Sequence, residues 1–110
     1  MSHFADYFKE FYGDETYEDE TGFAVYRFLS PTQVYIVHIF VTIKNRKVGV
    51  ASAIADRVVE IARSKGCTEV VGSVVPSARA STTSLKVLLG YGMSLKRIEG
   101  DMVIFSKEII

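Results

Sequence analysis

A short basic turn, between an apolar stretch and an amphipathic one, carries the residue types best suited to binding chemistry. It reads Arg46-Lys47-Val48-Gly49-Val50-Ala51. The glycine permits close approach of a ligand to the backbone, the two cations add positive charge, and the start of the following helix presents unpaired N–H groups. These properties suit a diphosphate. A basic connection that binds nothing is the alternative, because neither a Walker loop nor a GxGxxG motif occurs.

The side chains that could take part in catalysis are few. His38 lies within the apolar stretch, where it could act as a base near neutral pH, although a histidine packed in the core is the more common case. Cys67 has no accompanying motif and is expected to be a small buried residue. No metal site is predicted.

The elements that position these residues follow from the spacing of apolar positions. Gln33–Ile43 reads as a long strand, and its nearly continuous apolar character indicates burial on both faces. An amphipathic helix begins at Val50 and is stopped by Gly66. The next strand runs from Glu69 to Val75. Strand, helix and strand make a βαβ unit, so the two strands are expected to be parallel, with a right-handed crossover.

The remaining segments complete a mixed sheet. The predicted elements are a helix over 3–12, a short strand over 15–18, a strand over 23–29, a second helix from Ser81 to Leu89 and a terminal β-hairpin of 93–98 with 102–109. The strand over 23–29 should lie antiparallel beside the long strand, because only a short turn separates them. The expected fold class is α/β (α+β), with a mixed central sheet, a βαβ core, a second helix and a C-terminal β-hairpin in a single domain of residues 1–110.

Composition places the chain among ordinary globular proteins, with 48% hydrophobic and 24% charged residues. No apolar run approaches the ~18 residues that span a bilayer, and a single cysteine cannot form an internal disulfide. A cytoplasmic protein with no membrane partner is the expectation. Residues 1–20 hold seven acids and one base, whereas the rest of the chain holds twelve bases and six acids. The acidic segment 14–20 is therefore either a patch that binds a cationic ligand or a solvated loop.

The run from Val41 to Ala51 resembles the signature of the GNAT family of N-acetyltransferases, which is Q/R-x-x-G-x-G/A between a strand and the helix after it. Arg46, Gly49 and Ala51 match its three defined positions. The order of elements agrees over roughly residues 22–109. The end of the second helix also resembles the closing Y-x-x-x-G-F of the family, and it reads Leu88-Leu89-Gly90-Tyr91-Gly92-Met93.

The resemblance implies a GNAT-like acyl-CoA N-acyltransferase fold, with acetyl-CoA as the acyl donor and a primary amine of a small molecule or protein as the acceptor. It implies that backbone N–H groups at the turn hold the pyrophosphate and that the end of the long strand pairs with the pantetheine arm like an added strand. The cofactor-binding residues so implied are Val41, Thr42, Arg46, Lys47, Val48, Gly49, Val50, Ala51 and Ser52. In the family the amine attacks the thioester directly, which needs positioning, a base and an acid.

The sequence departs from the family pattern where the acid should lie. The family's tyrosine, four residues before the glycine of G-F, falls on Leu88, which has no proton to give. Tyr91 lies near the same helical face and is the remaining candidate acid. His38 is the candidate base, because the long strand holds no carboxylate. The family's asparagine, seven residues before that tyrosine, falls on Ser81.

The segment before the sheet departs as well. About 22 residues precede Phe23, where family members usually have two helices, so the acceptor side is reduced or is completed by a second subunit. The aromatic helix over 3–12 is expected to pack on the core, and the alternatives are that it lines a pocket or forms a dimer surface. The alternative function is a catalytically inactive GNAT-fold protein that binds CoA or a protein partner. A nucleic-acid or regulatory module is a third interpretation, but no aromatic-plus-basic RNA motif occurs and no nucleic-acid partner is expected.

Overall fold

A computed structural model describes residues 13–47, 49–77 and 81–110, and of residues 81–84 it describes the backbone alone. The predicted aromatic helix over 3–12 and Val48 of the basic turn lie outside the described residues. Within the described ranges, neither helix is long and apolar enough to cross a membrane.

The described chain forms one mixed sheet with two helices. The strands are β1 (Glu15–Asp19), β2 (Gly22–Ser30), β3 (Gln33–Val41), β4 (Glu69–Val74), β5 (Ser94–Glu99) and β6 (Met102–Glu108). The helices are α1 (Val50–Ser64) and α2 (Ser81–Gly90), and a 3-10 turn covers Ile43–Asn45. The strand order is β1-β2-β3-β4-β6-β5, in which β3 and β4 are parallel and all other neighbours are antiparallel. The predicted fold class, the parallel pair around α1 and the terminal hairpin are confirmed.

Helix α1 forms because its apolar residues fall on one stripe and its ends are set by glycines. Gly49 at the N-cap has φ 90° and ψ −10°, a left-handed conformation that glycine adopts readily. Gly66 beyond the last turn has φ 94°, and the Cys67 N–H donates to the Ala62 carbonyl (3.0 Å), which closes the C-terminal end. The helix packs on β2 and β3, and its buried stripe comprises Ile54, Ala55, Val58, Val59 and Ala62. Cys67 is itself buried, as predicted.

Side chains as well as backbone hold the start of the β3–β4 pair. Glu69, the first residue of β4, accepts from Gln33 Nε2 on β3 (2.7 Å) and from Lys96 Nζ on β5 (2.7 and 2.9 Å). Hydrogen bonds from Lys96 and Gln33 lower the pKa of the Glu69 carboxyl, so it stays ionised at neutral pH. One carboxylate thus ties three strands together at this end of the sheet.

The long strand β3 contains a β-bulge at Val37. His38 of β3 lies opposite Val25 of β2. The next pair along β2 joins Tyr26 to Ile36, which leaves Val37 as the extra residue. The bulge shifts the side-chain alternation by one position, so the β3 residues packed on the core are Val34, Ile36, Ile39 and Val41.

The expectation that β3 is buried on both faces is wrong, because Val37, His38 and Phe40 are exposed. The interpretation of His38 as a core histidine is wrong for the same reason. Among the described residues β3 pairs with β4 only from Gln33 to Tyr35, and beyond that point the two strands separate. The continuous apolar run therefore lines an opening in the sheet instead of filling a layer between two covered faces.

Burial along α1 leads to a stability prediction. Ile54 is 1% exposed, so Ile54→Ala should lower the free energy of unfolding by about 2–5 kcal/mol through lost burial and the cavity left behind. Ile43 is 81% exposed, and Ile43→Ala should change the free energy of unfolding by less than about 0.5 kcal/mol. Urea unfolding of the two variants measures both values. Equal losses would show that α1 does not bury the face assigned to it.

Candidate functional site

A cleft opens where β3 and β4 part. It has a volume of about 270 Å³. Its walls come from β3, β4, α2 and the first turn of α1, and the lining residues are Ile36, Val37, His38, Ile39, Val41, Ala51, Gly72, Ser73, Val87 and Leu88. Apart from His38 and Ser73 these side chains are apolar or absent, so the cleft suits a ligand with a slender, weakly polar body.

Backbone groups of β3 face this cleft. The Thr42 N–H donates to the Thr21 carbonyl, on the β2 side (2.8 Å). Because N–H and C=O groups of alternate residues point to alternate sides of a strand, the backbone of Val41 and Ile39 points away from β2 and toward the cleft. Thr42 has both of its own backbone groups engaged, since its carbonyl accepts from the Asn45 N–H (2.9 Å). An extended ligand can therefore pair with Ile39 and with the Val41 N–H as an added strand would, since the Val41 carbonyl accepts from Arg46 Nε (2.9 Å).

The cleft reaches the N-terminus of α1 through Ala51, which lies in the first helical turn. In the part of the chain that the structure describes, no side chain caps this terminus at Gly49, and the first turn contains no acidic residue. The first N–H groups of a helix have no partner within it, and the helix dipole places partial positive charge there. This end of the cleft is suited to an anionic group.

The two cations of the turn are placed differently. Arg46 Nε donates to the Val41 carbonyl (2.9 Å), and the guanidinium lies 5.5 Å from the centre of the Phe40 ring. Arg46 is thus held against the end of β3, next to a residue that lines the cleft. Lys47 is exposed, and its own N–H donates to the Asn45 carbonyl (2.8 Å). Both residues add positive charge to the turn that precedes α1.

Close packing of α2 on β4 shapes the opposite wall. A Cβ atom at Gly72 would lie 2.9 Å from Leu88 Cδ2 and 3.4 Å from Met93 Sδ, so the glycine leaves room for these two side chains against β4. Leu88 lines the cleft, at the position where the family pattern places a tyrosine. It contributes shape to the wall and no proton donor.

Tyr91, the candidate acid, lies near Leu88, as predicted, but not on this cleft. Both residues line a second, smaller cavity between α1 and α2. The Tyr91 hydroxyl donates to Asp56 Oδ1 of α1 (2.7 Å), and Lys107 Nζ lies 4.5 Å from the centre of its ring. Burial and the hydrogen bond to Asp56 raise the pKa of Tyr91 well above its usual range. The hydroxyl proton of Tyr91 is therefore engaged in the hydrogen bond to Asp56, and the raised pKa makes it hard to release.

His38, the candidate base, does line the cleft. It is exposed on the sheet face opposite α1, where it lies beside two phenylalanines. Ring centroids are 6.2 Å apart for Phe23 and His38 and 5.4 Å apart for Phe23 and Phe40. The imidazole is thus accessible to a molecule that approaches the cleft from this face.

A hydroxyl pair at the closed end of the cleft is a feature that sequence reasoning does not single out. Tyr35 makes the last pairing of β3 with β4, and its hydroxyl lies 2.6 Å from Ser73 Oγ. Ser73 is the second polar side chain that lines the cleft. The two residues meet through the register of the parallel strands, which no local sequence pattern specifies.

Comparison with known proteins gives structural matches alone. No family model and no curated protein matches the sequence. A structure from Desulfovibrio desulfuricans, described as an acetyltransferase of the GNAT family, superposes with a TM-score of 0.77 at 16% identity, covering 96% of this chain and 76% of that one. An acetyltransferase from Bacillus subtilis in complex with CoA gives a TM-score of 0.70 at 17% identity, over 96% of this chain and 84% of that one.

A third structure is a GNAT-family acetyltransferase from Elizabethkingia anophelis with acetyl-CoA bound. It gives a TM-score of 0.70 at 17% identity and covers 98% of this chain and 83% of that one. Identities this low say little about individual side chains, whereas the shared path of the backbone extends over nearly the whole chain. On that ground the chain has the fold of the GNAT acetyltransferases.

Proposed function

We propose that the protein is an acyl-CoA-dependent N-acyltransferase, which transfers an acetyl group from acetyl-CoA to a primary amine. The observation that carries the proposal is the cleft between two parting parallel strands, which ends at an uncapped helix N-terminus. An apolar channel with a strand edge suits the pantetheine arm, and the helix terminus suits the diphosphate. The CoA and acetyl-CoA bound by two proteins of the same fold support this choice of ligand.

Two parts of the described chain support such a donor, the N-terminus of α1 and the free edge of β3. Backbone N–H groups from Gly49 to Ser52 would hold the diphosphate, with charge support from the side chains of Arg46 and Lys47. The Lys47 N–H is engaged with the Asn45 carbonyl and is not one of these donors. Val41 remains a proposed partner of the pantetheine arm. Ile39 takes the place of Thr42 as the second partner, because the Thr42 backbone is engaged with Thr21 and Asn45.

The proposed reaction is direct attack of the amine on the thioester. The amine nitrogen forms a bond to the carbonyl carbon, the carbon–sulfur bond breaks, the amine loses a proton and the leaving thiolate gains one. His38 is the proposed base, because it is exposed and is one of two polar side chains that the structure places on the cleft.

The acceptor is proposed to reach the cleft from the sheet face that carries His38. Glu18 of β1 lies opposite Phe23 on this face and is exposed, so it can attract a cationic amine. Asp14 is unsuited to that role, because it is 2% exposed and its carboxylate accepts from Arg27 Nε (2.6 Å). The acidic segment thus offers a cationic acceptor less charge than its sequence suggests.

A second candidate function is binding of CoA without catalysis. Leu88 at the family's acid position favours it, because the cleft wall contributed by α2 then has no proton donor among the described residues. Release of free thiol from acetyl-CoA in the presence of amines separates the two functions, since a binding protein releases none.

Binding of CoA is tested by thermal unfolding. CoA at about 100 times its Kd should stabilise the protein by ~2.7 kcal/mol, an upward shift of about 10 °C in Tm. In Gly49→Ala the new methyl group lies at the diphosphate cradle and should weaken CoA binding by about tenfold, or ~1.4 kcal/mol. No Tm shift with saturating CoA would exclude the proposed ligand.

The matched control is Gly66→Ala, at the opposite end of the same helix. Gly49 and Gly66 have φ of 90° and 94°, and a Cβ at either would meet no atom within 4 Å. Both variants should therefore lose a similar ~1–2 kcal/mol of stability through backbone strain. CoA should still shift the Tm of Gly66→Ala as it does that of the native protein. Equal loss of CoA binding in both variants would place the diphosphate elsewhere.

The role of His38 is tested by thiol release with acetyl-CoA and a panel of amines. Replacing a general base should lower kcat by about 10²-fold or more, so His38→Gln should lose turnover while its CoA Kd stays that of the native protein. Glu18→Gln serves for comparison, because it removes a charge on the same face and should raise the KM of cationic amines alone. Native turnover in His38→Gln would remove His38 from the mechanism.

A further inference from the structure

The leaving thiolate of the proposed reaction needs a proton, and the residue at the family's acid position has none. Leu88 is aliphatic, and the hydroxyl of Tyr91 donates to Asp56 outside the cleft. Of the side chains described on the cleft wall, only those of His38 and Ser73 are polar. With His38 as the base, the remaining source of a proton on the cleft is Ser73.

Ser73 does not stand alone. Its Oγ lies 2.6 Å from the Tyr35 hydroxyl, a distance at which either oxygen can donate. Tyr35 belongs to the last residue pair between the strands, so this contact bridges β3 and β4 where they begin to part. Both side chains are part-buried, which shields the contact from competition by solvent. A hydroxyl pair is thus fixed at the closed end of an otherwise apolar cleft.

An ion pair lies on the neighbouring strand beside Tyr35. Arg27 of β2 is directly opposite Tyr35 of β3 on the same sheet face. The buried Asp14 carboxylate accepts from Arg27 Nε (2.6 Å) and Nη2 (3.2 Å), which keeps the guanidinium in place. The hydrogen bond to Asp14 is the main cause of the raised pKa of Arg27, and the charge of a Tyr35 phenolate raises it further. Arg27 therefore stays charged on the sheet face that carries Tyr35.

We propose that Ser73 is the catalytic acid of this protein and that Tyr35 is the positioning residue that returns a proton to it. The inference rests on the proposed function. As the carbon–sulfur bond breaks, the thiolate sulfur takes the proton of Ser73 Oγ, and Ser73 Oγ takes the proton of the Tyr35 hydroxyl. The Tyr35 phenolate that is left recovers a proton from solvent. One proton enters from solvent for each one that leaves on CoA, and no other reactant is needed.

The test measures single-turnover acyl transfer from acetyl-CoA to the best amine of the panel. Ser73→Ala should slow the transfer by about 10²-fold and Tyr35→Phe by about tenfold, with the CoA Kd unchanged. Ser73→Thr keeps a hydroxyl and should recover most of the rate. The matched control is Tyr17→Phe, which also removes a hydrogen-bonded phenol, since Tyr17 donates to Asp19 (2.9 Å) outside the cleft. It should retain the native rate.

A second readout separates proton transfer from a structural role. Two protons in flight should give the native protein a curved dependence of the single-turnover rate on the deuterium fraction of the solvent. Tyr35→Phe should reduce the curvature of that dependence, because one proton fewer is transferred, which a loss of packing alone would not do. Native rates in both Ser73→Ala and Tyr35→Phe, or a loss in Tyr17→Phe equal to theirs, would overturn the relay and leave the proposed function intact. A native protein that releases no thiol with any amine would overturn the proposed function, and the relay with it.

Discussion

The early end of the parallel pairing between β3 and β4 is the constraint on which the rest of the site depends. Beyond Tyr35 the edge of β3 carries N–H and C=O groups that no described strand satisfies, and such groups must be paired with water or a ligand. The closed end is fixed by the Glu69 carboxylate, which binds side chains of β3 and β5. The open end is shaped by the bulge at Val37 and by Gly72, which leaves room for Leu88 and Met93 against β4. A sheet held at one end and parted at the other presents backbone and side chains to the same ligand.

The two faces of the parted sheet carry different kinds of groups. On the face of α1 the groups offered are a helix N-terminus at Gly49 and an apolar wall that includes Leu88, which bind and shape but transfer no proton. On the other face lie His38 and the Tyr35–Ser73 hydroxyl pair, which can exchange protons. Holding a thioester between the faces would therefore bring binding groups and proton-transfer groups to its two sides, which is the arrangement that aminolysis needs.

Much of the fold can be predicted from the sequence, because the patterns that specify each element lie within a short segment. The candidate catalytic contacts cannot, because they join residues that are far apart in the sequence. The stripe of α1 and the stop at Gly66 are readable within one element, and the parallel pair follows from the helix between two strands. The bulge at Val37 is hidden in a continuous apolar run, so the exposure of His38 could not be predicted. The hydroxyls of Tyr35 and Ser73 are brought together only by the register of the two strands. The Tyr91 hydroxyl, just after α2, donates to Asp56 of α1. Each of these contacts depends on packing that no residue spacing encodes.

A crystal structure of the protein with CoA would test most directly whether the ligand binds between β3 and β4, with its diphosphate at the start of α1. We expect diphosphate oxygens within about 3.2 Å of backbone N–H groups between Gly49 and Ser52, and a pantetheine arm paired with the backbone of Ile39 and Val41. The contrary result is CoA bound in the hollow that Asp19, Gly49, Val50 and Arg57 line, with the cleft between β3 and β4 left to solvent.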